Sequence, residues 1–237
     1  LIAEAAHNFQ AEAFVFISTD KAVNPTNVMG ATKRAAEMYV KAINKRSSTR
    51  FITTRFGNVL GSNGSVVPLF KRQIQAGGPI TVTHPEVIRY FMTIPEACEL
   101  VLEASCFGKG GEVFVFDMGE PVRIVDLARR MIKLSGLKEG TDIEIVYSGL
   151  RPGEKLFEEL LTDREKNQPT HHPKIMIANL EGASYEYLLT QFDTLRSLLR
   201  KTNTREQMVQ LLKELVPEYI SNNSEFEKLD LNPHNLS

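Results

Sequence analysis

Apolar and polar positions alternate in blocks along the chain, and the blocks change period. Ala13 to Ile17 is an unbroken apolar run that stops at Ser18-Thr19-Asp20. This is the pattern of a short strand buried on both faces of a parallel sheet. Asn24-Pro25-Thr26-Asn27 reads as a turn, and from Val28 to about Ile43 the apolar spacing is helical. Phe51 to Phe56 reads as a second strand, closed by a glycine-rich loop from Gly57 to Gly64. Further helices are predicted near 65–76, 94–107, 123–135 and 154–161, with extended runs at Ile80–Thr83, Val113–Phe116 and Ile143–Tyr147. Such alternation predicts an α/β fold with a mainly parallel sheet. After Asn179 apolar residues return at helical spacing (Tyr187, Leu188, Phe192, Leu195, Leu198, Leu199), and a polar tail from Ser221 to Ser237 is expected to be mobile. Two parts are therefore expected, residues 1–180 and a helical extension with polar tail over 181–237.

Composition narrows the partners. The chain has 237 residues, 42% hydrophobic and 24% charged, as in one large globular domain or two small ones. A formal net charge of −1 gives no reason to expect nucleic acid or an anionic membrane surface. Cys98 and Cys106 lie eight apart in one helical pattern. That spacing spans about 12 Å of helix, too far for a disulfide, so both are expected to be buried, reduced thiols in a cytoplasmic setting. No run of eighteen apolar residues and no signal-peptide pattern occurs in the sequence. Leu1 to Ala6 reads as the tail of a helix already under way, so residue 1 is expected to be a cut.

Ligands bind open α/β sheets beyond the carboxyl ends of the strands, and Thr19, Asp20 and Lys21 sit at such an end. A carboxyl group beside an amine is a candidate acid–base pair; alone it describes a solvated surface turn equally well. Met29 and Lys33 are i and i+4 on one helical face, where the ordinary reading of Met29 is core filling. Five histidines lack a third ligand at metal spacing, so no metal is expected. Gly108-Lys109-Gly110-Gly111 falls between a helix and a strand, which makes it a turn. No glycine-rich dinucleotide turn follows any strand in the sequence.

Taken together, longer stretches are more specific. They are Ser18-Thr19-Asp20-Lys21-Ala22-Val23-Asn24-Pro25-Thr26-Asn27-Val28-Met29-Gly30-Ala31-Thr32-Lys33, then Arg55-Phe56-Gly57-Asn58-Val59, then Gly61 to Pro68. Pro79-Ile80-Thr81-Val82-Thr83, Arg89-Tyr90-Phe91-Met92-Thr93 and Arg151-Pro152-Gly153-Glu154-Lys155 follow in order. Over about residues 1–180 the chain resembles the polysaccharide-biosynthesis (CapD-like) branch of UDP-N-acetylglucosamine 4,6-dehydratases, in the extended short-chain dehydrogenase/reductase superfamily. The resemblance implies an α/β fold made of the C-terminal part of a Rossmann-type parallel sheet plus a smaller mixed substrate-binding portion, with NAD as cofactor and a UDP-sugar as substrate. Its reaction oxidises sugar carbon 4, eliminates water across carbons 5 and 6, and returns the hydride to carbon 6.

The resemblance also implies roles. Lys21 would take the carbon 5 proton, Asp20 would protonate the departing hydroxyl, and Thr19 would bond near the carbon 4 oxygen. Lys33 would bind the nicotinamide ribose, with Met29 and Phe56 beside the cofactor. Met29 stands where the superfamily usually has tyrosine and has no proton to exchange, so another group must take the proton during oxidation. Arg89 and Arg151 would hold the diphosphate, since a guanidinium fork matches phosphate oxygens. Glu154 would accept the ribose hydroxyls, as a helix-start glutamate; Asn58 would meet the sugar or phosphate, and Thr81 and Val82 the uracil through backbone groups. By the same resemblance the first half of the cofactor-binding fold, and any membrane anchor, would lie upstream of Leu1 in the same polypeptide. A homo-oligomer in the cytoplasm or on the cytoplasmic face of a membrane is expected. Two rivals stand beside this reading: a UDP-sugar 4-epimerase, which depends on the tyrosine, and a non-catalytic UDP-sugar-binding fragment.

Overall fold

The computed structural model describes residues 1–161, 167–180, 182–200 and 205–230. In chain order the elements are α1 (Ile2–Asn8), β1 (Ala13–Ile17), a 3-10 turn (Asp20–Ala22), α2 (Val28–Asn44), β2 (Arg50–Arg55), β3 (Asn58–Val59) and α3 (Val66–Gln75). There follow β4 (Ile80–Val82), β5 (Ile88–Arg89), β6 (Phe91–Met92), α4 (Ile94–Phe107), β7 (Val113–Phe116), β8 (Val122–Arg123), α5 (Ile124–Leu134) and β9 (Ile145–Tyr147). The chain continues through β10 (Asn167–Pro169), β11 (Ile175–Ala178), α6 (Tyr185–Leu199), α7 (Arg205–Leu215) and a 3-10 turn (Glu225–Leu229).

The central sheet has the order β1-β2-β7-β11-β10. β1, β2 and β7 run parallel, while β11 is antiparallel to both β7 and β10. The strand period of two explains how β7, buried throughout, serves two cores. Val113 and Val115 pack with Ala31, Ala35 and Met38 of α2 and with Val209 and Leu212 of α7. Phe114 and Phe116 point the other way, into a cluster with Leu100 and Ala104 of α4. β1 was expected to be buried on both faces, but among the described residues it pairs with β2 alone and lies at an edge of the sheet; its residues are half-buried and Ile17 is 44% exposed. A third cluster (Phe70, Ile80, Val82, Ala128, Ile132, Ile143) packs α3 and α5 on the two-stranded parallel pair β4–β9.

Polar side chains fix the element ends. Asn27 caps α2 by accepting the Gly30 N–H at 2.9 Å, and Thr93 caps α4, which carries proline in its first turn. A Cβ on Gly30 would lie 2.1 Å from the Lys21 carbonyl oxygen, so only glycine lets α2 approach the 3-10 turn this closely. Between α2 and β2, the fully buried carboxylate of Glu37 meets the fully buried guanidinium of Arg55 in a two-pronged pair, at 2.7 and 3.1 Å.

Other expectations need correction. Residues 154–161 are not helical. Their carbonyls are taken by donors from elsewhere: Leu156 by the backbone N–H of Ile88 (3.0 Å) and by Arg89 Nη1 (3.3 Å), Leu160 by Arg55 Nη1 (3.4 Å). A helix needs those carbonyls for its own i+4 amides. Cys98 and Cys106 are exposed, because α4 turns Ala97, Leu100 and Ala104 to the core and presents the opposite face outward. The polar stretch from Ser221 is also tied down as far as Asp230: Lys213, buried, pairs with Asp230 and donates to Ser221 Oγ at 2.8 Å, and Ser224 heads a capping box.

Candidate active site

β1 ends by delivering Thr19, Asp20 and Lys21 into the 3-10 turn. Thr19 caps it, accepting the Lys21 N–H with its hydroxyl oxygen, while the Asp20 N–H donates to the Phe56 carbonyl at 3.1 Å. Asp20 is completely buried. Its Oδ1 accepts from the Thr19 hydroxyl (2.8 Å) and from Lys21 Nζ (2.9 Å), and its Oδ2 has no hydrogen-bond partner among the described residues. Lys21 Nζ also reaches Asn58 Oδ1 at 3.4 Å and Glu158 Oε1 at 4.0 Å. Asn58 is held for this by the pairing of β3 with β6 and by its own Nδ2, which donates to the Tyr90 carbonyl at 3.2 Å.

Arg89, on β5, extends the cluster. Its Nη2 lies 3.1 Å from Glu154 Oε1 and its Nε 3.8 Å from Glu158 Oε1. Glu154 Oε1 also accepts from the Thr83 hydroxyl (3.0 Å), and Oε2 accepts the Arg151 backbone N–H (3.1 Å). Glu154 therefore closes its own loop, in place of the helix start expected from the sequence. Gly153, at φ +73°, lets that loop pass against α2: its carbonyl accepts from Thr26 Oγ1 (2.8 Å) and Asn27 Nδ2 (3.0 Å). From the other side Asn223 Nδ2 donates to the Leu150 carbonyl (2.9 Å), and the Gly153 N–H donates to the Asn222 carbonyl (2.6 Å). The Arg151 side chain is exposed, with no acidic partner among the described residues.

Thus Thr19, Asp20, Lys21, Asn58, Arg89, Arg151 and Glu154, drawn from segments more than a hundred residues apart, form one continuous set of contacts. The link between its two halves is Glu158, which sequence reasoning passed over. Two adjacent acids, Glu158 and Glu159, within the apolar frame Leu156-Phe157 and Leu160-Leu161 were the available signal for a buried carboxyl. Burial pushes the Glu158 carboxyl above the ordinary range; Lys21, Arg89 and Lys155 pull it down, and Asp20 pushes it further up. Its Oε2 has no hydrogen-bond partner among the described residues.

The remaining candidates lie apart from that set. Lys33 Nζ donates to the Ile17 carbonyl (2.9 Å) and stands 4.8 Å over the Phe16 ring, at the carboxyl end of β1. Met29, one turn earlier, is exposed. Phe56 is in the core, its ring stacked on Phe116 with centroids 5.4 Å apart. The Thr81 N–H and hydroxyl are both engaged by Gln73, and the Val82 carbonyl accepts the Ser148 N–H. Among the described residues no group of three or more His, Cys, Asp or Glu is arranged to hold a metal ion, and no helix is long and apolar enough to cross a membrane.

Chemically, the site offers a buried carboxylate touching an amine, beside arginines suited to an anionic ligand. The Lys33 ammonium stands at the carboxyl end of β1 beside the exposed Ile17, and Val28 and Met29 are exposed at the start of α2. Lys33 is the residue there that could hold the ribose of a nicotinamide nucleotide.

The sequence profile described as polysaccharide biosynthesis protein matches residues 1–180. The capsular polysaccharide biosynthesis protein CapD of Staphylococcus aureus is 54% identical over 211 residues, which are 89% of this chain and 34% of that protein. The chain thus spans about a third of the length of that relative. A UDP-glucose 4-epimerase of Rickettsia bellii is 36% identical over 154 residues, 64% of this chain and 44% of that protein. Among solved structures, Pen from Bacillus thuringiensis superposes with a TM-score of 0.69 at 34% identity, covering 81% of this chain and 65% of that one. NAD-bound nucleotide-sugar epimerases and dehydratases superpose at 17 to 20% identity and TM-scores of 0.55 to 0.56, a likeness of fold alone.

Proposed function

Because the chain belongs to the polysaccharide biosynthesis protein family, we propose that it carries the substrate-binding and acid–base residues of an NAD-dependent UDP-N-acetylglucosamine 4,6-dehydratase, working with a dinucleotide-binding segment of the same polypeptide. The observation that carries the reading is the Asp20–Lys21 pair, with Nζ 2.9 Å from a completely buried carboxylate and the Arg89–Glu154 half of the site linked to it. A surface turn would leave such a pair solvated. NAD, when bound, would supply the oxidising and reducing capacity at the sugar.

The chain's own residues have these parts. Lys33 holds the nicotinamide ribose. Arg89 and Arg151 face the diphosphate, Glu154 the ribose hydroxyls, and Thr81 and Val82 the base. Asn58 orients the Lys21 amine. Once carbon 4 is a ketone the proton on carbon 5 becomes acidic, and Lys21, as a neutral amine, removes it. Asp20, as the acid, gives a proton to the carbon 6 hydroxyl, which leaves as water. Met29 cannot exchange a proton, which counts against an epimerase that would need one at that position.

The test uses an enzyme form containing this chain and the dinucleotide-binding segment, incubated with UDP-N-acetylglucosamine. A 4-keto-6-deoxy product, followed by its absorbance in alkali, is expected. A product that differs from the substrate only in the configuration of carbon 4 would replace this reading by the epimerase.

A further inference from the structure

The carboxyl of Glu158 belongs to none of the roles above, yet it sits where the two halves of the site meet. It is nine-tenths buried, and one oxygen, Oε1, lies 4.0 Å from Lys21 Nζ and 3.8 Å from Arg89 Nε. We propose that Glu158 is a positioning residue for Lys21: a fixed carboxylate that holds the amine at the reaction centre and ties it to the arginine facing the diphosphate. This rests on the dehydratase reading for its mechanistic part.

Three observations support it. First, Lys21 is held by the Asp20 carboxylate and the Asn58 amide oxygen, and Glu158 provides a third electronegative contact from a separate loop. Three such points fix a flexible four-carbon side chain where one would leave it free to rotate. Second, the placement of Glu158 is built into the backbone. The carbonyls of Leu156 and Leu160, on either side of it, are held by Ile88, Arg89 and Arg55, so its loop is pinned to β5 and β2. Third, burying a carboxylate costs free energy, which is the reason its proton affinity is raised. A residue needed only for packing would do better as leucine or glutamine.

Among the described residues, the polar and charged groups facing the pair are these. Asp20, Asn58 and Glu158 face Lys21. Lys21, Asp20, Arg89 and Lys155 act on Glu158. Behind these, Arg89 is shared with Glu154, and Lys155 is engaged by Glu159 and the Val23 carbonyl. Glu158→Gln keeps the shape and removes only the charge. Loss of a negative charge at 4.0 Å makes the neutral amine easier to form, so Lys21 should become reactive at lower pH. The amine loses one of its three anchors in the same step.

Two readouts test this. In the chain itself, competitive acylation of lysines is followed by mass spectrometry as a function of pH. The midpoint for the Lys21 peptide should move down by about one pH unit in Glu158→Gln and return most of the way in Glu158→Asp. In the enzyme form that contains the dinucleotide-binding segment, Glu158→Gln should lower kcat about 10- to 100-fold. KM for UDP-N-acetylglucosamine should stay within about threefold, and exchange of the carbon 5 hydrogen with deuterated water should fall in step with kcat. An unmoved Lys21 midpoint overturns the proposal whatever the activity, and so does a moved midpoint with parental kcat. If the parent enzyme makes no 4-keto product, the dehydratase reading fails by itself, while the acylation midpoint still decides whether Glu158 governs Lys21.

Discussion

Replacing Arg89 with methionine removes the guanidinium that stands between two carboxylates, 3.1 Å from Glu154 and 3.8 Å from Glu158. At an effective dielectric of about 20, unit charges at these separations attract by about 4–5 kcal/mol. Desolvation offsets much of this, and breaking a buried pair costs about 3–5 kcal/mol net because a charge is left without a partner. Glu154 keeps some contact with water (its side chain is 19% exposed), which places the expected loss near the lower end, about 3 kcal/mol. For a chain of this size that lowers the melting temperature by about 6–12 °C.

The loss should also vary with pH in a definite direction. Burial already raises Glu158, and Arg89 is one of the charges holding it down, so its removal raises the carboxyl further. A group whose folded value lies above its unfolded value contributes stability that is full below the unfolded value and lost as pH rises through the folded one. The deficit of Arg89→Met relative to the parent should therefore widen as pH rises above 4.5 through the raised value of Glu158, and narrow on acidification. Thermal unfolding followed by circular dichroism from about pH 5 to pH 8 measures it, and the double variant Arg89→Met/Glu158→Gln should recover part of the loss at the upper end. A loss below about 1 kcal/mol, the size of an exposed pair, or a deficit that ignores pH, would show that Arg89 is not the counter-ion of these acids.

Other perturbations separate binding from chemistry. Lys21→Met should abolish carbon 5 exchange and 4-keto product while substrate still binds; Asp20→Asn should slow loss of the hydroxyl about a hundred- to ten-thousand-fold, read by product formation. Arg151→Ala should raise KM for UDP-N-acetylglucosamine by about tenfold to a hundredfold, from a charge-assisted contact of about 1.5–3 kcal/mol, and an unchanged KM would remove it from the site. Asn222→Ala/Asn223→Ala should also raise KM with kcat near the parental value, because these residues strap down the loop carrying Arg151 and Glu154; equal kinetics would show that the loop holds itself. Residues 1–237 by themselves should bind NAD weakly in isothermal titration, since the sequence has no glycine-rich dinucleotide turn.

Where hydrophobic period alone decides structure, the sequence was readable. The apolar run Val113–Phe116 became a buried central strand, and α4 spans Ile94–Phe107 as its spacing predicts. Residues 154–161 misled because Leu156, Leu160 and Leu161 fall at helical spacing, while the Leu156 and Leu160 carbonyls are claimed by side chains 67 and 105 positions away. The two-residue strands β3, β5, β6 and β8 are too short to leave a period at all. Motif order pointed to Asp20, Lys21, Arg89, Arg151 and Glu154 as candidates, but not to which of them touch. Contact between β1, β5 and the Arg151 loop is a property of the packed chain. Glu158 stayed hidden because the apolar frame around Glu158 and Glu159, its one signal, reads equally well as a helix with both acids facing water.

The Glu37–Arg55 pair has a consequence for how this sequence can drift. With both side chains fully buried, losing Glu37 removes the carboxylate that Arg55 and Arg34 share, at a cost of about 3–5 kcal/mol. That is a large share of the roughly 5–15 kcal/mol by which such a fold is stable. A path that changes Glu37 first therefore crosses a poorly folded protein, whereas changing Glu37 and Arg55 together to apolar residues of similar volume is often close to neutral. Among related sequences the two positions should keep acid and arginine together or exchange them together. A lineage that keeps the glutamate but not Arg55 should be found only where Arg34, 3.4 Å from the same carboxylate, is kept.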